Sequence, residues 1–293
     1  MVVSAGKARS RRTSVAIASA LGLTAAIGLG AEAGSAATVP TPAHVVVVVL
    51  ENHAYSQVIG SSSAPYINSL ATGGANLTQF YAETHPSQPN YYAMFSGSTQ
   101  GITDDSCVKI GFSSAANLGS ELIAAGKTWA SYNEGLPSQG STVCSNSSNK
   151  YAQKHNPWFG FGNVPTSTAY TFAQFPTDYT KLPKVSFVVP NLCNDMHDCS
   201  VSTGDTWLKN KLGAYATWAK SNNSLLVVTF DEDNKLAGNR IAAVVYGQPV
   251  KAGSSSSTTY NHYSLLRTLE DMAGLTTHAG NAASASDITG IWS

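Results

Sequence analysis

Two hydrophobic rhythms alternate along the chain. HVVVVVLEN (44–52) opens with an unbroken β-branched run, too short to span a bilayer and apolar on both faces, which predicts a strand buried in a parallel-type sheet. Similar runs at 185–191 (VSFVVPN), 225–233 (LLVVTFDED) and 241–247 (IAAVVYG) predict further strands. Between them lie helical patterns such as SAANLGSELIAAG and DTWLKNKLGAYATWAK. Strands alternating with helices predict an α/β sandwich with a mostly parallel central sheet. From about Ser113 to Pro183 the periodicity is weak, which predicts a loop-rich insertion forming one wall of a pocket. The serine-rich GSSSSTT (253–259) reads as a surface loop.

In open α/β sheets, sites gather beyond the carboxyl ends of the strands. The polar residues fall there. The first strand ends in Glu51, Asn52 and His53; VSFVVPN is followed by Asn194, Asp195 and His197; the third run ends in Asp231, Glu232 and Asp233. One such cluster alone reads as a helix or turn cap, whereas three together point to a site. Asp205, ahead of TWLKNKL, reads as a helix N-cap and is set aside.

The N-terminal segment stands apart. Lys7, Arg9, Arg11 and Arg12 precede the apolar TSVAIASALGLTAAIGLG and the small-residue AEAGSAA, the layout of a secretory signal over residues 1–37. The adjacent Arg11 and Arg12 leave both the general and the twin-arginine export routes open. Residues 38–293 then form a single domain with no further run apolar enough to span a membrane. Four cysteines in an exported chain point to two disulfides. Of three connectivities, Cys107–Cys144 with Cys193–Cys199 is favoured because the second pair closes a short loop; the spacings lack the CxxC pairs of a zinc site. Lys plus Arg and Asp plus Glu number 17 each, so no net field favours nucleic acid or an anionic membrane as the main partner. A small substrate fits better.

Glu51, Asp231 and Glu232 offer hard carboxylate oxygens and Asn52 a neutral one, a set suited to one divalent cation: calcium, magnesium or manganese, with zinc compatible. A cation next to Ser87, in THPSQPNYY, would lower its hydroxyl pKa and let it attack without a histidine base. No GxSxG elbow surrounds Ser87, which speaks against a Ser-His-Asp hydrolase. Asn90 falls in the first turn of a helix opened by NYYAMF and could donate to a phosphoryl oxygen. His155, His197 and His262 lie in polar contexts and could bind phosphate oxygens or protonate a leaving group; His85 and Asp198 are weaker candidates.

In this order, VVVVVLENHAYSQVIG, THPSQPNYYAMFSG, KHNPW, NLCNDMHDCSVSTGDTWL, VVTFDED and YNHYSLLRTLEDMAGL resemble the bacterial phosphoesterase family of secreted acid phosphatases and phosphatidylcholine-type phospholipases C. The resemblance covers about His44 to Leu275 and implies an alkaline-phosphatase-like three-layer α/β sandwich. In length the chain is most similar to small secreted acid phosphatases, including mycobacterial ones acting on phosphoinositides. The family pattern implies Ser87 as a metal-contacting nucleophile passing through a phosphoserine, and Glu51, Asn52, Asp231 and Glu232 as metal ligands. It also implies Asn90, His155 and His197 at the phosphoryl group, with His262 nearby. Lys154 stands where some members have a second histidine. The resulting expectation is a secreted, metal-dependent phosphomonoesterase. A phospholipase C-type phosphodiesterase, which would want an exposed apolar rim, and a non-catalytic surface binding protein on the same scaffold are the rivals.

Overall fold

The computed structural model describes residues 1, 2 and 39–293; the segment expected to be a signal peptide lies almost wholly outside the described residues. An eight-stranded sheet organises the chain. In chain order its strands are β1 (His44–Leu50), β2 (Ala75–Leu77), β3 (Trp129–Asn133), β4 (Ala169–Thr171), β5 (Val185–Val189), β6 (Ser224–Phe230), β7 (Ala243–Gly247) and β8 (Ser254–Ser256). Across the sheet they run β8-β2-β7-β6-β1-β5-β3-β4. The block β6-β1-β5-β3-β4 is parallel throughout, and β7 runs antiparallel to both its neighbours.

β1 sits in the middle because its valines demand it. Val45 to Leu50 are fully buried, so both faces of the strand need cover. On one side, α1 (Pro65–Gly73) packs with α4 (Val201–Ala219); on the other, α2 (Ser87–Ser96) packs with α3 (Leu118–Ala124) and α5 (His262–Met272). The result is the expected sandwich with helices in layers about a mostly parallel sheet.

Three expectations change. The 113–183 segment is only partly loop: it supplies α3 and the sheet strands β3 and β4, and the short turns between them carry the loop-rich character. The serine run 254–256 is a strand, not a surface loop, since a strand needs only backbone pairing and β2 supplies it. Asp205 does not cap its own helix, which starts at Val201 behind Ser200. It is buried inside α4, and its carboxylate accepts from the N–H groups of Tyr66 (3.0 Å) and Ile67 (2.8 Å), capping α1 instead. The disulfides are Cys107–Cys144 and Cys193–Cys199, as favoured.

A carboxyl pair lies between α3 and α5. Glu270 is fully buried beside Glu121, with Ala279 N–H donating to it at 2.9 Å. Burial first, then the neighbouring Glu121 charge, pushes Glu270 from the ordinary 4.5 up to about 9, so the folded protein keeps a proton there that the unfolded chain loses. Between those two values the native state binds more protons, and stability falls as pH rises. Glu270→Gln keeps the hydrogen-bonding shape without the charge. Its expected melting temperature at pH 8 exceeds wild type by on the order of 3 °C, and the gain disappears towards pH 4.5; thermal melts across that range check it.

Candidate active site

The loops beyond the carboxyl ends of β1, β5 and β6 converge on the start of α2. The helix begins at Ser87, three residues earlier than the NYYAMF pattern implied, which places the serine in its first turn at the positive end of the dipole. Ser87 is 2% exposed, and its Oγ donates to Glu51 Oε2 at 3.0 Å.

Glu51 is the hub. The Tyr91 hydroxyl donates to its Oε1, the Asn52 side-chain amide donates to its Oε2 at 3.0 Å, and His155 Nε2 lies 3.2 Å from Oε1. Asn52 takes a left-handed backbone (φ 59°), a conformation asparagine tolerates, and its N–H donates to Asp231 Oδ1 at 3.0 Å. His155 stacks on Tyr91, with ring centroids 5.0 Å apart, and its Nδ1 lies 3.4 Å from Asp195 Oδ2.

Glu51, Asp195 and Asp231 are all fully buried, with few cationic side chains to answer them. Burial, then the Asp231 and Asp195 charges, hold Glu51 well above the carboxylate range; burial does the same to Asp195. Glu232, chiefly through burial and then Asp231, is pushed up to about 8. Burial also depresses His155 to about 3, so it is neutral. Asp231 Oδ2, Asp195 Oδ2 and His155 Nε2 lack hydrogen-bond partners although all are buried. Among the described residues, Glu51, His155 and Asp195 bring one ligand atom each within 4.8 Å of one another. Buried carboxyl groups with unspent lone pairs beside a neutral imidazole are the chemistry of a metal-ion site, and this group could hold one.

The remaining expected residues take distinct places. Glu232 lies beside the serine loop, 3.0 Å from His85 Nδ1, while His85 Nε2 is 3.3 Å from Asp233. Asn90 is fully buried. Its carbonyl accepts from the N–H groups of Glu83 and Thr84, and its amide donates to Thr84 O at 2.9 Å, within 3.4 Å of Glu232; it staples the serine loop. His262 is fully buried too, and its Nε2 donates to the Asp231 carbonyl at 2.8 Å. It holds the acidic loop and does not face solvent. His197 sits at the rim, about one-third exposed, with Nδ1 2.8 Å from Asp198 and Nε2 3.4 Å from Lys154 Nζ. Lys154 in turn pairs with Asp105 at 2.9 Å, and Asp105 accepts from Gln88 N–H, so this rim is tied to the start of α2.

Sequence reasoning gave no site role to Asp195, Tyr91 or Asp105. Asp195 was visible as part of the NDMHD cluster behind β5 but was not assigned to the ion-binding group. Tyr91 adjoins Asn90, yet nothing local shows that its hydroxyl meets Glu51, 40 residues away. Asp105 carried no signal.

The sequence model of the Phosphoesterase family matches residues 60–276. The chain is 52% identical over 260 residues to the phosphatidylinositol-3-phosphatase of Mycobacterium tuberculosis, covering 88% of this chain and 85% of that protein. It is 31% identical over 272 residues to a probable acid phosphatase of Kluyveromyces lactis (84% of this chain, 63% of that one) and 32% identical over 247 residues to an acid phosphatase of Aspergillus fumigatus (78% and 54%). It thus spans less than two-thirds of either fungal relative. In fold it is similar to a protein of the alkaline phosphatase superfamily from Vibrio parahaemolyticus, at TM-score 0.59 and 14% identity over 86% of this chain and 71% of that one. The lipoteichoic acid synthase LtaP of Listeria monocytogenes gives 0.56 and 12% over 82% and 74%. With the family match spanning most of the domain and half the residues shared with the mycobacterial protein, the chain belongs to the Phosphoesterase family.

Proposed function

We propose that the protein is an exported phosphomonoesterase of the acid phosphatase type that uses Ser87 as nucleophile, with phosphoinositides among its substrates. One observation carries the reading: the Ser87 hydroxyl, at the first turn of α2, is hydrogen-bonded into a buried carboxylate group that could hold a metal ion. The phosphatase names of the relatives support the reaction class, and the mycobacterial one supports the substrate. Two disulfides and the composition of residues 1–37 support export.

Glu51, Asn52, Asp231 and Glu232, with His155 and Asp195, would hold a divalent cation, which when bound lowers the pKa of a neighbouring hydroxyl and offsets phosphoryl charge. The Ser87 hydroxyl passes its proton to Glu51 Oε2, to which it donates, and the Oγ–phosphorus bond forms as the bond to the leaving alcohol breaks. The α2 N-terminus and the Lys154 ammonium face the developing negative charge. His197, oriented through Nδ1 by Asp198 and open to solvent, gives a proton to the leaving oxygen when protonated. Water then hydrolyses the phosphoserine. Asn90 and His262 act one step back, holding the serine loop and the Asp231 loop.

Phosphate release from p-nitrophenyl phosphate and a phosphoinositide monoester, set beside a phosphodiester, tests the reading. Monoester turnover is the expected result. Preferential diester cleavage would establish the phosphodiesterase rival, and no turnover with any divalent metal would leave a binding scaffold.

A further inference from the structure

Across residues 39–293, four large apolar side chains stand well into water: Leu236 (84% exposed), Ile110 (60%), Ile123 (43%) and Val143 (41%). Ile110 and Leu236 belong to loops that grip the nucleophile segment from its two sides, and Val143 is tied to the first of them by a disulfide. On one side, Asp105 accepts from Gln88 N–H, and the Gln88 side chain donates to the carbonyls of Asp104 and Ser106. Gln153, beside Lys154, donates to Val108 O at 2.8 Å, and the Cys107–Cys144 disulfide joins Val143 to the same loop. On the other side, Asp233 gathers the N–H groups of Lys235, Ala237 and Asn239, and Asn239 donates to Thr84 O at 2.8 Å. Thr84 and Gln88 bracket Ser87, so each loop is anchored within a few residues of the nucleophile.

Each loop tip carries the same pair, an exposed lysine followed by the exposed aliphatic: Lys109–Ile110 and Lys235–Leu236. The acids of the first loop, Asp104 and Asp105, come before the tip and accept from Ser106, Gln88 and Lys154. An aliphatic side chain held out by a pinned backbone next to an ammonium group suits a lipid headgroup boundary, where the apolar part enters and the amine meets anionic lipid. A cavity of about 420 Å³ opens behind Ile110, lined in part by Val108, Thr142 and Phe159. The equal totals of 17 basic and 17 acidic residues hide this local pattern.

We infer that the Lys109–Ile110 and Lys235–Leu236 tips, with Val143, form a docking surface for a bilayer containing anionic lipid, which sets the mouth of the Ser87 site against membrane-borne phosphate esters. The substrate half of this inference rests on the phosphomonoesterase reading; the docking half does not.

Co-sedimentation with phosphatidylcholine vesicles, with and without phosphatidylserine, tests it without substrate. Wild type is expected to partition onto the phosphatidylserine vesicles. Ile110→Ser with Leu236→Ser lowers that partition by about tenfold or more, and Lys109→Ser with Lys235→Ser removes its dependence on phosphatidylserine and salt. Ile123→Ser, on α3, leaves it unchanged, and all these variants keep wild-type turnover of soluble p-nitrophenyl phosphate. Absence of wild-type binding, or equal binding by the Ile110/Leu236 variant, overturns the proposal. Vesicle binding without turnover of any ester would instead overturn the enzymatic reading and leave the docking surface standing.

Discussion

Ser87→Ala is expected to lower kcat for phosphate monoesters by on the order of 10⁴-fold or more, while the protein stays folded. The hydroxyl is the atom that bonds to phosphorus in this scheme; the other hydroxyl on Glu51, that of Tyr91, donates its hydrogen bond there, and all four cysteines are in disulfides. Structurally Ser87 contributes one hydrogen bond, to Glu51, so its loss changes stability by about 1 kcal/mol. Steady-state kinetics beside a thermal melt separates the two effects. A variant that melts normally but retains wild-type turnover would remove Ser87 from the chemistry.

Glu51→Gln is expected to act in opposite directions on activity and stability. Glu51 takes hydrogen bonds from Ser87, Tyr91 and Asn52 and lies among buried like charges. Without a metal ion that crowding is unfavourable, so neutralising one member stabilises the metal-free protein by about 1 kcal/mol or more, or about 2–4 °C in melting temperature. The same change removes a charged ligand and the partner of the nucleophile, and turnover falls by about 10³-fold or more. Melting curves in chelator and kinetics with added divalent metal check the pair of signs. A drop in both would show Glu51 to be mainly structural; unchanged turnover would contradict the role assigned to it. Active sites often carry such a cost, with groups arranged for function at the expense of stability.

The sheet's centre was legible because β1, β5 and β6 are short, valine-rich and mostly apolar runs, and a run apolar on both faces has few places to go but the middle of a covered sheet. β3 escaped notice because WASYN places Ser131 and Asn133 inward. Their polarity is answered by each other and by Tyr170 O, contacts that exist only once the sheet has formed. β8 escaped because serines gave no strand signal, while its backbone pairing with β2 defines it. In the site, the strand-end rule located Glu51, Asp195, Asp231 and Glu232, since each follows its strand directly or within a short loop. It could not rank them, because whether an acid binds an ion, caps a turn or supports a neighbour depends on what lies opposite. Asn90 and His262 show this: their residue types suggested contact with phosphate, and in the fold both are buried, Asn90 hydrogen-bonded to the serine loop and His262 to the Asp231 carbonyl.

In this scheme Ser87 carries the phosphoryl group. Acid quenching of the wild-type enzyme within its first turnover of p-nitrophenyl phosphate, followed by peptide mapping by mass spectrometry, measures this directly. The expected result is a phosphoryl group on the peptide containing THPSQPNYY, located at Ser87 and absent from Ser87→Ala. Rapid phosphate release with Ser87 unmodified, or with the phosphoryl group on His155 or His197, would contradict it.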